Sequence, residues 1–166
     1  MVSGQQCIFN ELIQIKEEMN SKFFYLILLA GLFFSTCSKD YNEINKEEIL
    51  VYLDANNLEA EEHESGIYYI IERTGDGNHP PFDAEVTVRY TGTLLDGTFF
   101  DGTQDGQTAT FPLLNLIPGW QIGIPLLERG GKGKFFIPSA LGYGSRGSGS
   151  IPANAVLIFD IELVDF

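Results

Sequence analysis

Cysteine and histidine, the side chains that most often supply a nucleophile or hold a metal, occur only twice each, as Cys7, Cys37, His63 and His79. Both cysteines fall in the first quarter of the chain, and neither histidine stands at a metal-ligand spacing from another donor. Beyond Cys37 there is therefore no thiol nucleophile, disulfide or thiolate metal site, and no cofactor is called for. Gly142-Tyr143-Gly144-Ser145-Arg146-Gly147 spells G-x-G-x-x-G. A dinucleotide site needs a helix to begin there; Gly149 and Pro152 follow instead, so the string reads as a flexible loop. Charge opposes phosphate recognition as well. The 23 Asp and Glu against 10 Lys and Arg leave a formal net charge of −13, whereas nucleic-acid binding needs a cationic face. The same charge disfavours electrostatic attachment to anionic lipids. Trp120, the single tryptophan, and Phe100 and Phe159 each read in isolation as core aromatics.

Cys37 has a context of its own. Phe23 to Phe34 is a continuous apolar run, FFYLILLAGLFF, shorter than the roughly 20 residues of a comfortable transmembrane helix. Lys22 precedes it, and the small residues Ser35 and Thr36 follow. This is the layout of a secretory signal. With Cys37 next, the segment resembles the lipobox of bacterial lipoproteins, whose cysteine is lipidated and becomes the mature N-terminus. Phe34 departs from it, standing where a smaller aliphatic is more usual. The expectation is a signal peptide over 19–36, lipidation at Cys37 and a lipid-anchored protein of the cell envelope, on the outer membrane or the periplasmic face. Residues 1–18 fit no signal, and Met19 is the expected start.

Residues 37–65 read as an acidic stalk. Asp40, Glu43, Glu47, Glu48, Asp54, Glu59, Glu61, Glu62 and Glu64 are balanced only by Lys39 and Lys46. Asn45, with Glu48 three residues on, predicts a helix cap. Ile49, Leu50 and Leu53 would share one face of a short helix ending near Ala55. Such a helix serves either as a spacer or as a solvated element lying against the domain.

From Gly66 the pattern changes. Ile67 to Arg73 reads as a strand. Val86, Val88 and Tyr90 alternate with Thr87, Arg89 and Thr91, as in a half-buried strand. Asp96-Gly97 predicts a hairpin turn returning through Thr98 to Phe100. Pro118 suits the first turn of a helix, and Trp120, Ile124 and Leu127 share its face. Lys134 to Ile137 and Val156 to Phe166 complete the strands. One short helix against an antiparallel sheet makes an α+β domain over 66–166.

The stretches VRYTGTLLDGTFFD, FPLLNLIPGW, GKGKFFIP and LGYGSRGSGSIPANAVLIFDIEL, in this order and spacing, resemble the FKBP-type peptidyl-prolyl isomerases. The resemblance implies a twisted antiparallel sheet wrapped around a short helix, with a pocket between them. It implies that Tyr90, Phe100, Ile117, Trp120 and Phe159 form the apolar pocket, with the proline ring on the tryptophan. Leu116 matches the position whose backbone N–H meets the ligand or lies close to that contact. Asp101 matches a polar wall residue, Tyr143 a hydroxyl that reaches a substrate carbonyl, and Ile151 an apolar residue of the loop above. The implied partners are proline-containing polypeptides and macrolide ligands. The chain departs from the family pattern in several places. A residue, usually basic, is missing between Asp105 and Gly106. Ala109 replaces an aromatic wall, Gly142 stands where alanine is common, and the loop from Gly147 to Ile151 is one residue short. These changes bear on substrate preference and macrolide affinity more than on fold.

The implied reaction needs no nucleophile. Peptide resonance sets a rotation barrier of ~18–20 kcal/mol, and an X–Pro bond turns over in tens to hundreds of seconds. A dry aromatic pocket that favours the twisted amide lowers it. The expected function is prolyl isomerisation in envelope or secreted proteins. A non-catalytic proline-binding module or holdase chaperone using the same pocket is the alternative.

Overall fold

In the computed structural model, which describes residues 39–166, the alternating segments form a seven-stranded antiparallel sheet. The signal-like run, Met19 and Cys37 lie outside the described residues. The strands are β1 (Glu61–Glu62), β2 (Tyr68–Arg73), β3 (Glu85–Leu94), β4 (Phe99–Gly102), β5 (Ala109–Pro112), β6 (Lys132–Ile137) and β7 (Leu157–Asp165). They lie in the order β1-β2-β6-β7-β3-β4, with β5 also paired to β3. One edge of β3 is thus shared: Glu85 to Val88 pair with β5, and Thr91 to Thr93 pair with β4. Its other edge runs along β7. The turn at Asp96-Gly97 forms as expected, with Asp96 accepting the Thr98 N–H at 2.9 Å.

Two helices cover opposite faces. Helix α2 (Pro118–Gly123) begins with Pro118 in its first turn. Pro125 has no N–H to continue the α ladder, and the chain tightens into a 3-10 turn over Ile124–Leu126. Trp120, Ile124 and Leu127 are all buried, on the face their spacing predicts. They join Val86, Val88, Phe135, Phe159, Ile161 and Leu163 in the main core. Helix α2 lies close to β6 because position 119 is glycine; a Cβ there would collide with Ile137.

Helix α1 (Tyr41–Ala55) starts earlier than the sequence suggests. Asp40 is its cap, accepting the Asn42 N–H at 3.0 Å. Asn45 is not the cap but a buried residue inside the helix. Ile49 and Leu53 are buried, while Leu50, one position round the helix, is exposed. They pack with Tyr68, Phe136, Val156 and Ile158 in a second core on the back of the sheet. This explains why β7 buries Ile158 as well as its alternating set Leu157, Phe159, Ile161 and Leu163. Each of Ile49 and Leu53 contributes roughly 1.5–3 kcal/mol by leaving water. The expected boundary near Gly66 is therefore crossed by packing. Residues 61–62 pair with β2, and Lys39–Phe166 cluster as one compact unit.

Candidate functional site

Five elements converge on one cleft. β3 supplies Tyr90, β4 Asp101, β5 Phe111 and β7 Phe159; the segment entering α2 supplies Leu116 and Ile117, and α2 itself Trp120. Tyr143, from the long β6–β7 connection, closes the rim. The cavity measures about 130 Å³. That is comparable with the roughly 150 Å³ apolar cavity that admits a benzene ring, so it suits a five-membered ring.

Trp120 is 4% exposed and is the hub. Tyr90 meets it edge-on at 5.0 Å between ring centroids and 88° between planes. Phe159 does so at 5.2 Å and 88°, and Phe111 at 6.4 Å and 83°. Edge-to-face contacts of this kind add to area burial and favour this arrangement of the rings. Phe100 does not line the cavity; it stands edge-on behind Phe159 at 5.4 Å. Ile151 is buried in the main core, its loop pinned by paired bonds to Ser148 of 3.0 and 2.8 Å. It supports the site and does not line it.

The polar groups are few and mostly engaged. The Tyr90 hydroxyl donates to Asp101 Oδ2 at 2.8 Å, and the Gly102 N–H donates to Asp101 Oδ1 at 2.9 Å. Both carboxylate oxygens of Asp101 thus hold the wall together. Burial, reinforced by the hydrogen bond to Asp101, pushes Tyr90 ionisation far above its ordinary value. Burial first, and the Asp101 charge second, raises Tyr143 too. Both hydroxyls stay protonated and remain donors. Tyr143 Oη has no hydrogen-bond partner among the described residues and is free to meet a ligand. The Leu116 N–H is committed to the Leu113 carbonyl at 3.1 Å, whereas the neighbouring Ile117 N–H has no acceptor among the described residues. Gln121 braces this segment by donating to the carbonyls of Leu116 and Leu114 at 2.7 and 3.2 Å.

Two contributors escape a sequence reading. Phe111 reads only as an apolar strand residue, and its wall position depends on β5 folding back on β3. Gly92 is the second. A Cβ there would lie 2.6 Å from Phe100 and 2.9 Å from Phe159, so only glycine lets both rings cross the strand.

A buried aromatic box between an antiparallel sheet and a short helix, holding neither a nucleophile nor a cluster of metal donors among the described residues, defines a binding pocket for a small apolar ring. Comparisons with known proteins agree. The family model for FKBP-type peptidyl-prolyl cis-trans isomerase matches residues 77–164, and the chain belongs to that family. The FKBP-type peptidyl-prolyl cis-trans isomerase FkpA of Aeromonas hydrophila is 53% identical over 116 residues, covering 68% of this chain and 43% of the relative. The probable FkpA of Neisseria meningitidis serogroup B is 44% identical over 124 residues, covering 72% and 46%. The matched region thus spans less than half the length of these curated relatives. Among solved structures, Escherichia coli FkpA aligns with a TM-score of 0.67 at 29% identity, covering 97% of this chain and 80% of that one. A peptidyl-prolyl cis-trans isomerase from Pseudomonas syringae pv. tomato aligns at 0.64 and 29%, covering 77% and 97%.

Proposed function

We propose that this protein is a peptidyl-prolyl cis-trans isomerase acting on proline-containing polypeptides. The observation that carries the reading is the largely apolar aromatic box on Trp120, with the Tyr143 hydroxyl and the Ile117 backbone at its edge. The proline ring rests on the indole, and Tyr90, Phe111 and Phe159 exclude water from the amide beside it. Water favours the charge-separated planar amide, so its exclusion lowers the barrier, and donors that fit the twisted form better than either planar form lower it further. Reaching an ordinary turnover of about 10–10³ per second requires a reduction of only roughly 4–7 kcal/mol.

The test is isomerisation of an X–Pro peptide followed by a protease-coupled assay, with Trp120 fluorescence recording binding of a proline-mimicking macrolide such as rapamycin. Faster isomerisation, inhibited by the macrolide, is expected. Macrolide binding with no acceleration would replace catalysis by a proline-binding or holdase role.

The protein is further proposed to act in the cell envelope, held by a lipid on Cys37. The apolar run 23–34 followed by small residues and Cys37 supports this. More than one acyl chain gives stable attachment where a single chain is marginal. Cys37→Ala is expected to release the protein from membranes and abolish acyl labelling. A wild-type protein that fractionates as soluble and unlabelled sinks the proposal.

A further inference from the structure

Residues 138–156, between β6 and β7, carry Tyr143 to the pocket rim without a strand ladder of their own. They form 3-10 turns over Ser139–Leu141 and Gly144–Arg146 and the small bridge at Ser148 and Ile151. Two backbone groups in this segment are held from elsewhere, by one side chain. Asn45, inside α1 and 1% exposed, accepts the Ser139 N–H through Oδ1 at 2.9 Å. Its Nδ2 donates to the Asn154 carbonyl at 3.1 Å. Ser139, itself 2% exposed, opens the turn that leads to Tyr143. The Asn154 N–H donates to the Gly144 carbonyl at 2.8 Å, one residue beyond Tyr143. A single buried amide therefore grips the segment on both sides of the rim tyrosine.

The chemistry of that amide is specific. One partner is an obligate donor and the other an obligate acceptor, so the amide orientation is fixed. The second Nδ2 proton goes to Glu48 Oε2 at 3.1 Å. An aliphatic residue would join Ile49 and Leu53 in the core behind the sheet but would leave the buried Ser139 N–H and the part-buried Asn154 carbonyl without this partner. We infer that Asn45 is a positioning residue for the pocket: from the helix on the far side of the sheet it sets where Tyr143 stands. Only the turnover arm of its test rests on the isomerase reading.

The full chain is compared with Asn45→Ala, Asn45→Asp and the packing control Ile49→Val. Turnover on an X–Pro peptide and amide hydrogen exchange over residues 138–156 are measured under conditions where each variant is folded. Asn45→Ala is expected to lower kcat by roughly tenfold or more, as misplacement of a reacting group does. KM should stay within about twofold, because the Trp120 floor is untouched and the loss is confined to the transition state. Exchange in the segment should quicken. Burial beside Glu48 disfavours ionisation of an aspartate at 45. Asn45→Asp therefore keeps the acceptor for Ser139 but has one carboxyl proton for Asn154 and Glu48 together, and it should fall between Asn45→Ala and wild type. Ile49→Val should resemble wild type in both readouts. Wild-type kcat in folded Asn45→Ala, with or without faster exchange, overturns the inference, as does an Ile49→Val protein that matches it in both. If Asn45→Ala does not fold, Asn45→Asp decides by the same criteria. An inactive wild type would instead sink the isomerase reading; exchange and macrolide affinity in the same variants would then decide the role of Asn45.

Discussion

Tyr143 offers one removable hydroxyl at the rim and little else to lose. Tyr143→Phe keeps the ring, so the thermal midpoint should not move, while kcat/KM should fall by the worth of one hydrogen bond, ~0.5–1.5 kcal/mol. An unchanged kcat/KM would remove the hydroxyl from the mechanism. The pH profile tests the same group. Burial and the neighbouring Asp101 charge raise its ionisation above the ordinary value, which is about 10. A raised value means the donating form persists throughout neutral and mildly alkaline solution, and is lost only as pH rises through the shifted value. Turnover should therefore be flat between about pH 6 and about pH 9; a bell-shaped profile would indicate proton transfer. Asp101→Asn should retain part of its turnover, since the amide oxygen can still accept from Tyr90 and no proton moves, although the amide NH2 then faces the Gly102 N–H. A folded Asp101→Asn protein with no turnover would restore acid–base chemistry. At this scale the sequence was informative where the cavity lining comes from short contiguous motifs, as with Ile117, Trp120 and Tyr143. It was silent on Phe111 and Gly92, whose places in the site depend on strands meeting across the fold. It matched Leu116 to a position whose N–H meets the ligand or lies close to that contact; the 3-10 turn gives the Leu116 N–H to Leu113, and Leu116 lines the cavity beside Ile117.

Strand β3 carries the site because its two edges serve different neighbours, and Gly92 lies where Phe100 and Phe159 cross it. Gly92→Ala adds one methyl into that crossing. Overpacking of this kind costs ~1–3 kcal/mol, and any displacement of Phe159 opens the cavity wall. Chemical denaturation should report the lost stability, and the macrolide should bind more weakly. Unchanged denaturation and binding would mean that the rings move aside without consequence, and that the close approach does not shape the pocket. The alternation of β3 and β7 and the spacing of Trp120, Ile124 and Leu127 were legible, because burial of one face writes a period into the chain. The start of α1 was not. Asn45 and Glu48 have the spacing of a capping box, and the two side chains do bond to each other, at 3.1 Å. Yet the helix begins a turn earlier at Asp40, and Asn45 turns inward to groups more than ninety residues away. Long-range polar pairing of this kind leaves no periodic trace. Nor does β1, whose two exposed glutamates form a strand only because β2 offers an edge.

Across the molecule, the acidic segment before Gly66 behaves as part of the fold. Removing it strips α1 from the back of the sheet and exposes Tyr68, Phe136, Val156 and Ile158. It also uncovers the end of β2 that pairs with β1, leaving an open strand edge of the kind that templates aggregation. Ile49 and Leu53 alone represent roughly 3–6 kcal/mol of apolar burial, against a total stability of about 5–15 kcal/mol for a typical domain. A fragment starting at Gly66 retains every pocket-lining residue and has no cysteine to mispair, so its behaviour isolates the contribution of the helix. Compared with a fragment starting at Lys39, it should unfold at clearly lower urea concentration and aggregate more readily. It should also isomerise X–Pro peptides more slowly even where folded, since the Asn45 grip on the Tyr143 segment goes with the helix. Superimposable urea curves for the two fragments would make residues 39–65 a spacer resting on a self-sufficient domain. Equal stability with unequal turnover would instead separate the helix's packing role from its hold on the pocket rim.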